Sequence, residues 1–198
     1  VTISLDSLRP ERFAEITGSD SIDRVLESIR TARDLGFEPV KLNAVIVRGR
    51  NDDEVVDFAR FAREQDISMR FIEYMPLDSG HVWDRRDVVS GKEIREKIGE
   101  VFPLILKEQT RGTGTAWKYA FADGSPGEIG IIAPVTEMFC GQCSRIRLTA
   151  DGQIRTCLFS NVEHDLRGVL RSGGCREEII EFIEDAVMKK EPRHHIND

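Results

Sequence analysis

No stretch of the 198-residue chain approaches the roughly 18 consecutive apolar residues that a membrane-spanning helix needs. Basic residues are not in excess. The 28 Lys and Arg against 35 Asp and Glu give a formal net charge of -7, which argues against a general nucleic-acid binder while permitting a local basic pocket. The first residues, VTISLDSLRPERF, lack the basic start and apolar core of a secretory signal. There are no internal repeats and no low-complexity tract. Cysteine is scarce: four in this length are too few for a disulfide-built miniature and fit a reducing, cytoplasmic compartment better. The glycine-rich RGTGTAW segment (111–117) lacks the lysine and spacing of a phosphate-binding P-loop, and reads as a plain loop.

Three of the four cysteines form a pattern. Cys140, Cys143 and Cys157 are spaced C-x2-C-x13-C within FCGQCSRIRLTADGQIRTCLF. Three thiolates can hold three irons of a 4Fe-4S cube and leave the fourth iron open, whereas a closed structural site takes four ligands. Arg145 and Arg147 follow the first pair, and on a strand their alternation with Ile146 and Leu148 points both to one face. An open metal position beside two fixed positive charges suits an anionic ligand. Two plainer readings stand beside this one. Buried free cysteines are common small hydrophobes, and Cys175 could complete a zinc site, although uneven spacing weighs against it. Cys175 follows Gly173 and Gly174 at an expected helix start, where a packed thiol is the simpler fate.

Periodicity divides the chain into an α/β portion, residues 1–76, and a mixed α+β portion, residues 77–198. Strands are expected at 1–5, 40–47 and 67–74. Between them lie a helix carrying Ile22, Val25, Leu26 and Ile29 at helical spacing, stopped at Gly36, and a second helix capped by Asn51-Asp52-Asp53. That order implies right-handed crossovers in a parallel sheet, and the largely apolar 40–47 run suggests a strand covered on both faces. Ser90 and Glu93 predict a capping box on a helix over 90–101. The Asp151-Gly152 pair between alternating runs predicts a hairpin that brings Arg145, Arg147 and Cys157 onto paired strands. Two short helices close the chain, and the final EPRHHIND reads as a flexible tail with solvated His194 and His195. His164 is a lone histidine, and such residues are more often structural than ligating.

Polar residues at and near the strand ends form the second signal. They are Ser4 and Asp6, Lys41 and Asn43, and Arg70, Glu73 and Met75. In α/β barrels, catalytic groups gather at the C-terminal ends of strands. A charge in an apolar strand is costly unless paired, so an internal ion pair or a ligand is expected to account for Lys41 and Arg70, with a solvated strand end as a third reading that best suits Arg70.

On SLDSL, VKLNAVIVRGRNDDE, MRFIEYMP and the cysteine segment, the chain resembles the GTP 3',8-cyclases, radical-SAM lyases of molybdenum cofactor biosynthesis, over essentially its whole length. The resemblance implies the C-terminal part of an incomplete radical-SAM (β/α)6 barrel, followed by an α+β domain carrying an auxiliary 4Fe-4S cluster on Cys140, Cys143 and Cys157. It further implies GTP contacts at Arg145, Arg147, Lys41 and Arg70, and S-adenosylmethionine contacts at Ser4 and Met75. The implied reaction abstracts the ribose C3' hydrogen of GTP by a 5'-deoxyadenosyl radical, after which C3' attacks C8 of the base. A homodimer is implied, in the cytosol or, in eukaryotes, the mitochondrion. The family's upstream CxxxCxxC motif, which binds a second 4Fe-4S cluster, and its C-terminal glycine tail have no counterpart here. This chain is therefore expected to be inactive alone. The competing expectations are a non-catalytic purine-nucleotide-binding or assembly module, and a radical-SAM enzyme acting on a peptide.

Overall fold

The computed structural model describes residues 1–77, 82–108, 112, 114–194 and 196. The chain packs as two compact units, Val1–Glu137 and Met138–Asp198.

The first unit is built on one six-stranded sheet ordered β1-β2-β3-β6-β5-β4. Its strands are β1 (Thr2–Ser4), β2 (Lys41–Ile46), β3 (Ser68–Glu73), β4 (Leu104–Leu106), β5 (Trp117–Phe121) and β6 (Glu128–Ile132). β1, β2, β3 and β6 run parallel, and β5 and β4 add antiparallel to the β6 edge. The sheet thus continues past residue 76, and the packing division falls at 137/138 instead. What changes after residue 76 is the pairing: only β5 reverses direction, and β3 finds its next parallel neighbour, β6, after the antiparallel β4–β5 pair has been laid down.

The α-helices of this unit among the described residues are α1 (Pro10–Thr17), α2 (Ile22–Asp34), α3 (Val55–Gln65) and α4 (Gly91–Val101). The short α1 escapes the periodicity reading, although proline opens it and Gly18, at φ +69°, closes it. α4 carries the expected capping box: Glu93 N–H donates to Ser90 Oγ at 3.2 Å, and Ser90 N–H donates to Glu93 Oε2 at 3.0 Å. α3 does not carry its expected cap. Asn51 instead donates its amide to the carbonyls of Asp6 and Val45, both at 2.8 Å, and accepts from Val47 N–H at 2.8 Å, tying β2 to the chain leaving β1.

Burial along β2 and β3 alternates, so β2 is not covered on both faces. Leu42, Ala44 and Ile46 are fully buried, as are Met69 and Phe71, in one core with Phe58, Ala59 and Ala62 of α3 and Ile94 and Ile98 of α4. Phe58 and Phe71 meet edge to face at 6.3 Å. The opposite pleat carries Lys41, Asn43, Val45, Arg70 and Ile72, all half-buried. Residues of period two therefore separate a packed face from a polar one.

The second unit holds a three-stranded antiparallel sheet, β7 (Arg147–Leu148), β8 (Gln153–Arg155) and β9 (His164–Asp165), with helices α5 (Leu166–Arg171) and α6 (Arg176–Met188). The Asp151-Gly152 hairpin forms as expected, with Gly152 at φ +83° and its N–H donating to Thr149 O at 3.0 Å. The core is small: Ile154, Leu166 and Ala186, with Ile179, Phe182 and Ile183 packed against them. Among the described residues, no helix of either unit is long and apolar enough to cross a membrane.

Candidate functional site

Register places Ser4, Asn43, Arg70 and Gly130 side by side across four parallel strands. Lys41 stands one pleat earlier on β2, on the same face as Asn43. Among the described residues, neither the Lys41 ammonium nor the Arg70 guanidinium is in an ion pair, so internal pairing does not account for these charges. Between them, Asn43 Oδ1 is buried without a hydrogen-bond partner. A buried acceptor left unmade costs about 1–3 kcal/mol, a cost that a ligand donor would offset. The stem of Arg70 crosses Gly130, the strand position that has no side chain to obstruct it.

Other polar residues at the strand ends are already engaged. Glu73 is fully buried and accepts from the N–H groups of Gly91 (2.8 Å), Val135 (2.8 Å) and Thr136 (2.9 Å), and from the Thr136 hydroxyl. It anchors the N-terminus of α4 and the chain after β6 to the end of β3, and so fixes where Met75 emerges two residues later. Met75 is half-buried, and its carbonyl accepts from Leu77 N–H at 2.8 Å. Glu54, also fully buried, receives Ser7 Oγ at 2.8 Å, Leu8 N–H at 2.7 Å and Arg12 at 2.7 Å, thereby holding the chain that leaves β1 just past Ser4. Sequence reasoning missed Glu54. The only available hint was an acidic residue ending an NDDE run.

Asp6 lines a cavity of about 250 Å³ with Val45, Val47, Arg50, Asn51 and Tyr74, beyond the ends of β1 and β2. Burial pushes its carboxyl above the usual carboxylate range, opposed by the hydrogen bond from Val45 N–H at 2.8 Å. A larger cavity, about 680 Å³, opens at the other end of the strands among Phe37, Pro39, Ile67 and Glu128. There Glu128 is already paired with Lys107 at 2.8 Å, and Arg33, Asp34, Glu38 and Asp66 of the lining are exposed, so this cavity's charges are solvated whereas those of the polar face are half-buried.

In the second unit the cysteines sit on two segments. Cys140 opens a short 3-10 turn, and Cys143 N–H closes it on Cys140 O at 3.0 Å. Cys157 follows β8 by two residues. All three are free and half-buried, whereas Cys175 is exposed and caps α6, its N–H donating to Glu178 at 2.8 Å. Among the described residues, no three His, Cys, Asp or Glu side chains converge as a metal site requires. The donor chemistry nevertheless fits a thiophilic group. Burial alone would raise the Cys143 thiol, yet hydrogen bonds from the backbone and side chain of Arg145, with the charge of Lys190, bring it below the ordinary thiol range.

Arg145 and Arg147 do not share a strand face. Only Arg147 lies on β7, opposite Arg155, while Arg145 precedes the strand and turns back. Its Nε donates to Cys143 Sγ at 3.4 Å, and its guanidinium stands 5.4 Å from the centre of the Phe139 ring. His164 sits in the ladder opposite Ile154, as a structural histidine would. The C-terminal segment is not a solvated tail at His194: this residue is only 5% exposed, and its ring lies 5.2 Å from that of Phe159. Glu191 accepts from Thr156 Oγ1 at 2.9 Å and Ser160 Oγ at 2.5 Å; the Ser160 hydroxyl leads in holding its carboxyl below the usual range. His81, Arg111 and His195 lie outside the described residues.

The chain matches two family models, Molybdenum Cofactor Synthesis C over residues 67–196 and Radical SAM superfamily over residues 1–62. It is 44% identical over 194 residues to the mitochondrial GTP 3',8-cyclase of Arabidopsis thaliana, covering 98% of this chain and 49% of that protein. The GTP 3',8-cyclase of Syntrophomonas wolfei is 40% identical over 197 residues, covering 100% of this chain and 60% of its own. Molybdenum cofactor biosynthesis protein 1 of Mus musculus is 41% identical over 196 residues, 98% of this chain and 30% of its own. The chain thus spans about half the length of the first two of these relatives. With a family model covering well over half of its residues, the chain belongs to the Molybdenum Cofactor Synthesis C family.

Proposed function

We propose that this chain supplies the substrate-binding part of a GTP 3',8-cyclase, which joins C3' of the ribose of GTP to C8 of its base in molybdenum cofactor biosynthesis. The observation that carries the reading is the polar pleat of the first unit, where, among the described residues, two cations without an ion pair flank a buried acceptor with no hydrogen-bond partner. An anionic nucleotide supplies what this face lacks: phosphate oxygens for Lys41 and Arg70, and hydroxyl or amine donors for Asn43. The names of the relatives support the same substrate.

Cys140, Cys143 and Cys157 would hold a 4Fe-4S cluster, the auxiliary cluster of such an enzyme. Bound there, it would supply an open iron able to accept a nitrogen or oxygen of the base. Arg145 lowers the Cys143 thiol toward the thiolate a metal needs, and Arg147 stays available for an anionic ligand. Ser4, at the end of β1 and within the Radical SAM match over residues 1–62, and Met75, just past β3 and outside that match, are assigned to S-adenosylmethionine. The parallel strands are assigned to a partial (β/α)6 barrel, and the complete enzyme to a homodimer with a second 4Fe-4S cluster outside this chain.

Anaerobic reconstitution with iron and sulfide tests the cysteine assignment. The expected result is about four irons per chain, lost in a Cys157→Ala variant. Uptake of one zinc and no iron would overturn it. Equilibrium binding of GTP to the full-length protein tests the substrate.

A further inference from the structure

Two residues that the proposed function does not use reach the cysteine segments from the end of α6. The helix is seated by Ala186, only 1% exposed, and by Phe182 and Ile183 against Ile154 of β8. Lys190 follows two residues past its end, its N–H donating to Val187 O at 3.0 Å. From that fixed base its ammonium donates to two carbonyls, Arg145 O at 2.9 Å and Thr156 O. The first lies two residues after Cys143, and the second belongs to the residue immediately before Cys157. One side chain therefore ties together the two segments that carry the cysteines, which are far apart in sequence.

The next residue adds to this. Glu191 accepts from Thr156 Oγ1 and Ser160 Oγ, the hydroxyls on either side of Cys157. Thr156 is 1% exposed and Ser160 9%. His194 then packs its ring on Phe159 at 5.2 Å. The loop Thr156–Ser160 is held at its start by Lys190 and Glu191, at Phe159 by His194, and at its end by Glu191. The carbonyls that Lys190 takes have no ladder partner to hold them in place, and a charge-assisted hydrogen bond is worth about twice a neutral one.

We propose that Lys190 and Glu191 are positioning residues that tether the Cys157 loop to the segment following the Cys140–Cys143 turn, keeping the chain segments that carry the three thiols together although the thiols themselves do not yet converge. The proposal rests on the cluster reading above and extends it to residues that touch no cluster atom. A binding site for a preformed or assembling iron–sulfur group gains when its ligands are held before binding, in the way that residues outside a metal's ligand set tune its retention.

Two measurements test it on this chain. The first uses the metal-free protein and follows alkylation of each cysteine, with exposed Cys175 as internal reference. Lys190→Met and Glu191→Ala should each raise the Cys157 rate by about tenfold, the factor for losing one charge-assisted hydrogen bond that holds a loop closed. The Cys175 rate should stay put, and Lys190→Arg and Glu191→Gln, which keep donor and acceptor, should restore the slow Cys157 rate. An unchanged Cys157 rate overturns the clamp. The second measurement reconstitutes the chain anaerobically and challenges it with a chelator. Lys190→Met should lose iron about tenfold faster, the lower end of the range for residues that orient metal ligands, with an altered visible spectrum. Wild-type retention and spectrum in that variant also overturn the proposal. A wild-type chain that takes up no iron overturns the cluster reading and the clamp's purpose with it, while the alkylation result still judges the clamp itself.

Discussion

The stem of Arg70 lies over Gly130, so close that a β-carbon added at Gly130 would stand 3.1 Å from Arg70 Cγ and 3.4 Å from Ala116 Cβ. Glycine in a buried strand gives up side-chain packing, and here the space goes to a cation that no carboxylate pairs among the described residues. The course of Arg70 over the polar pleat thus depends on a residue on the neighbouring strand.

Gly130→Val should therefore push Arg70 aside and weaken GTP binding by about tenfold, the scale of one charge-assisted contact. In an Arg70→Ala background the same change should cost nothing further, because the pair is coupled. Titration calorimetry on the four proteins of the cycle checks it. Additive losses would mean that Gly130 acts through sheet packing alone.

Glu73→Ala removes the acceptor for three backbone N–H groups and a hydroxyl, all near a fully buried position. Each buried donor left unmade costs about 1–3 kcal/mol, so the loss of stability should reach about 3 kcal/mol or more. Urea unfolding of the variant, at unchanged m, measures it. A loss below about 1 kcal/mol would mean that water reaches these donors.

Asp6 and Glu93 should leave opposite signatures in stability against pH. Glu93 is lowered from 4.5 to about 2, first by the Ser90 N–H of the capping box and then, against burial, by Arg48 and the Ser90 hydroxyl. Its contribution is present above the unfolded value of 4.5 and is lost as pH falls toward about 2. Asp6 is raised by burial, so its carboxylate is disfavoured in the fold and stability falls as pH rises from 3.8 through its folded value. Glu93→Gln should flatten the acid limb of the stability profile. Asp6→Asn, which keeps an acceptor for Val45 N–H, should stabilise at neutral pH and not near pH 3. Denaturant midpoints across that range decide both.

What the sequence disclosed, and what it withheld, follows the range of the interactions. Lys41 and Arg70 are legible because a charge inside an apolar strand is conspicuous by itself, and the Ser90–Glu93 box and Asp151-Gly152 hairpin are legible because both are local. Asn51 misleads: an Asn-Asp-Asp run ahead of an apolar helix imitates a cap, yet its amide answers to Asp6, 45 residues away. The sheet's continuation past residue 76 is hidden for a similar reason, since Ser68 meets Glu128 only after an antiparallel pair intervenes. Glu191 and His194 read as part of a flexible tail, and nothing local marks Lys190, because their partners, at Arg145, Thr156, Phe159 and Ser160, are 31 to 45 residues distant in the hydrogen-bonded cases. Arg145 was expected beside Arg147 on strand alternation, which fails because β7 begins only at Arg147.

Arg147 and Arg145 should separate when replaced. Arg145 touches the Cys143 thiol, so Arg145→Ala should lower cluster retention as well as GTP affinity. Arg147→Ala should leave iron content near normal and reduce GTP affinity by about tenfold, the loss expected for a charge-assisted contact. Iron counting and GTP binding on the two reconstituted variants resolve the roles. Normal GTP binding in Arg147→Ala would confine that residue to its place opposite Arg155 in the hairpin.

Asn43 offers the sharpest contrast between stability and binding. Its buried Oδ1 has no partner in the free protein, while its neighbours across the sheet are Ser4 and Arg70. Asn43→Leu keeps the branched four-atom shape, with somewhat more bulk, and removes the unmet acceptor, so the free protein should be no less stable, and a gain of about 1 kcal/mol is the expected scale. The same variant should bind a nucleoside ligand about tenfold more weakly, because a hydroxyl or amine donor that met Oδ1 would find only methyl groups. Thermal unfolding of the free protein, set beside GTP and S-adenosylhomocysteine binding measured separately, reads both sides of the exchange and names the ligand. A variant that is destabilised yet binds both ligands as before would make Asn43 part of the scaffold. A stabilised variant that loses one ligand places this amide in the site that receives it.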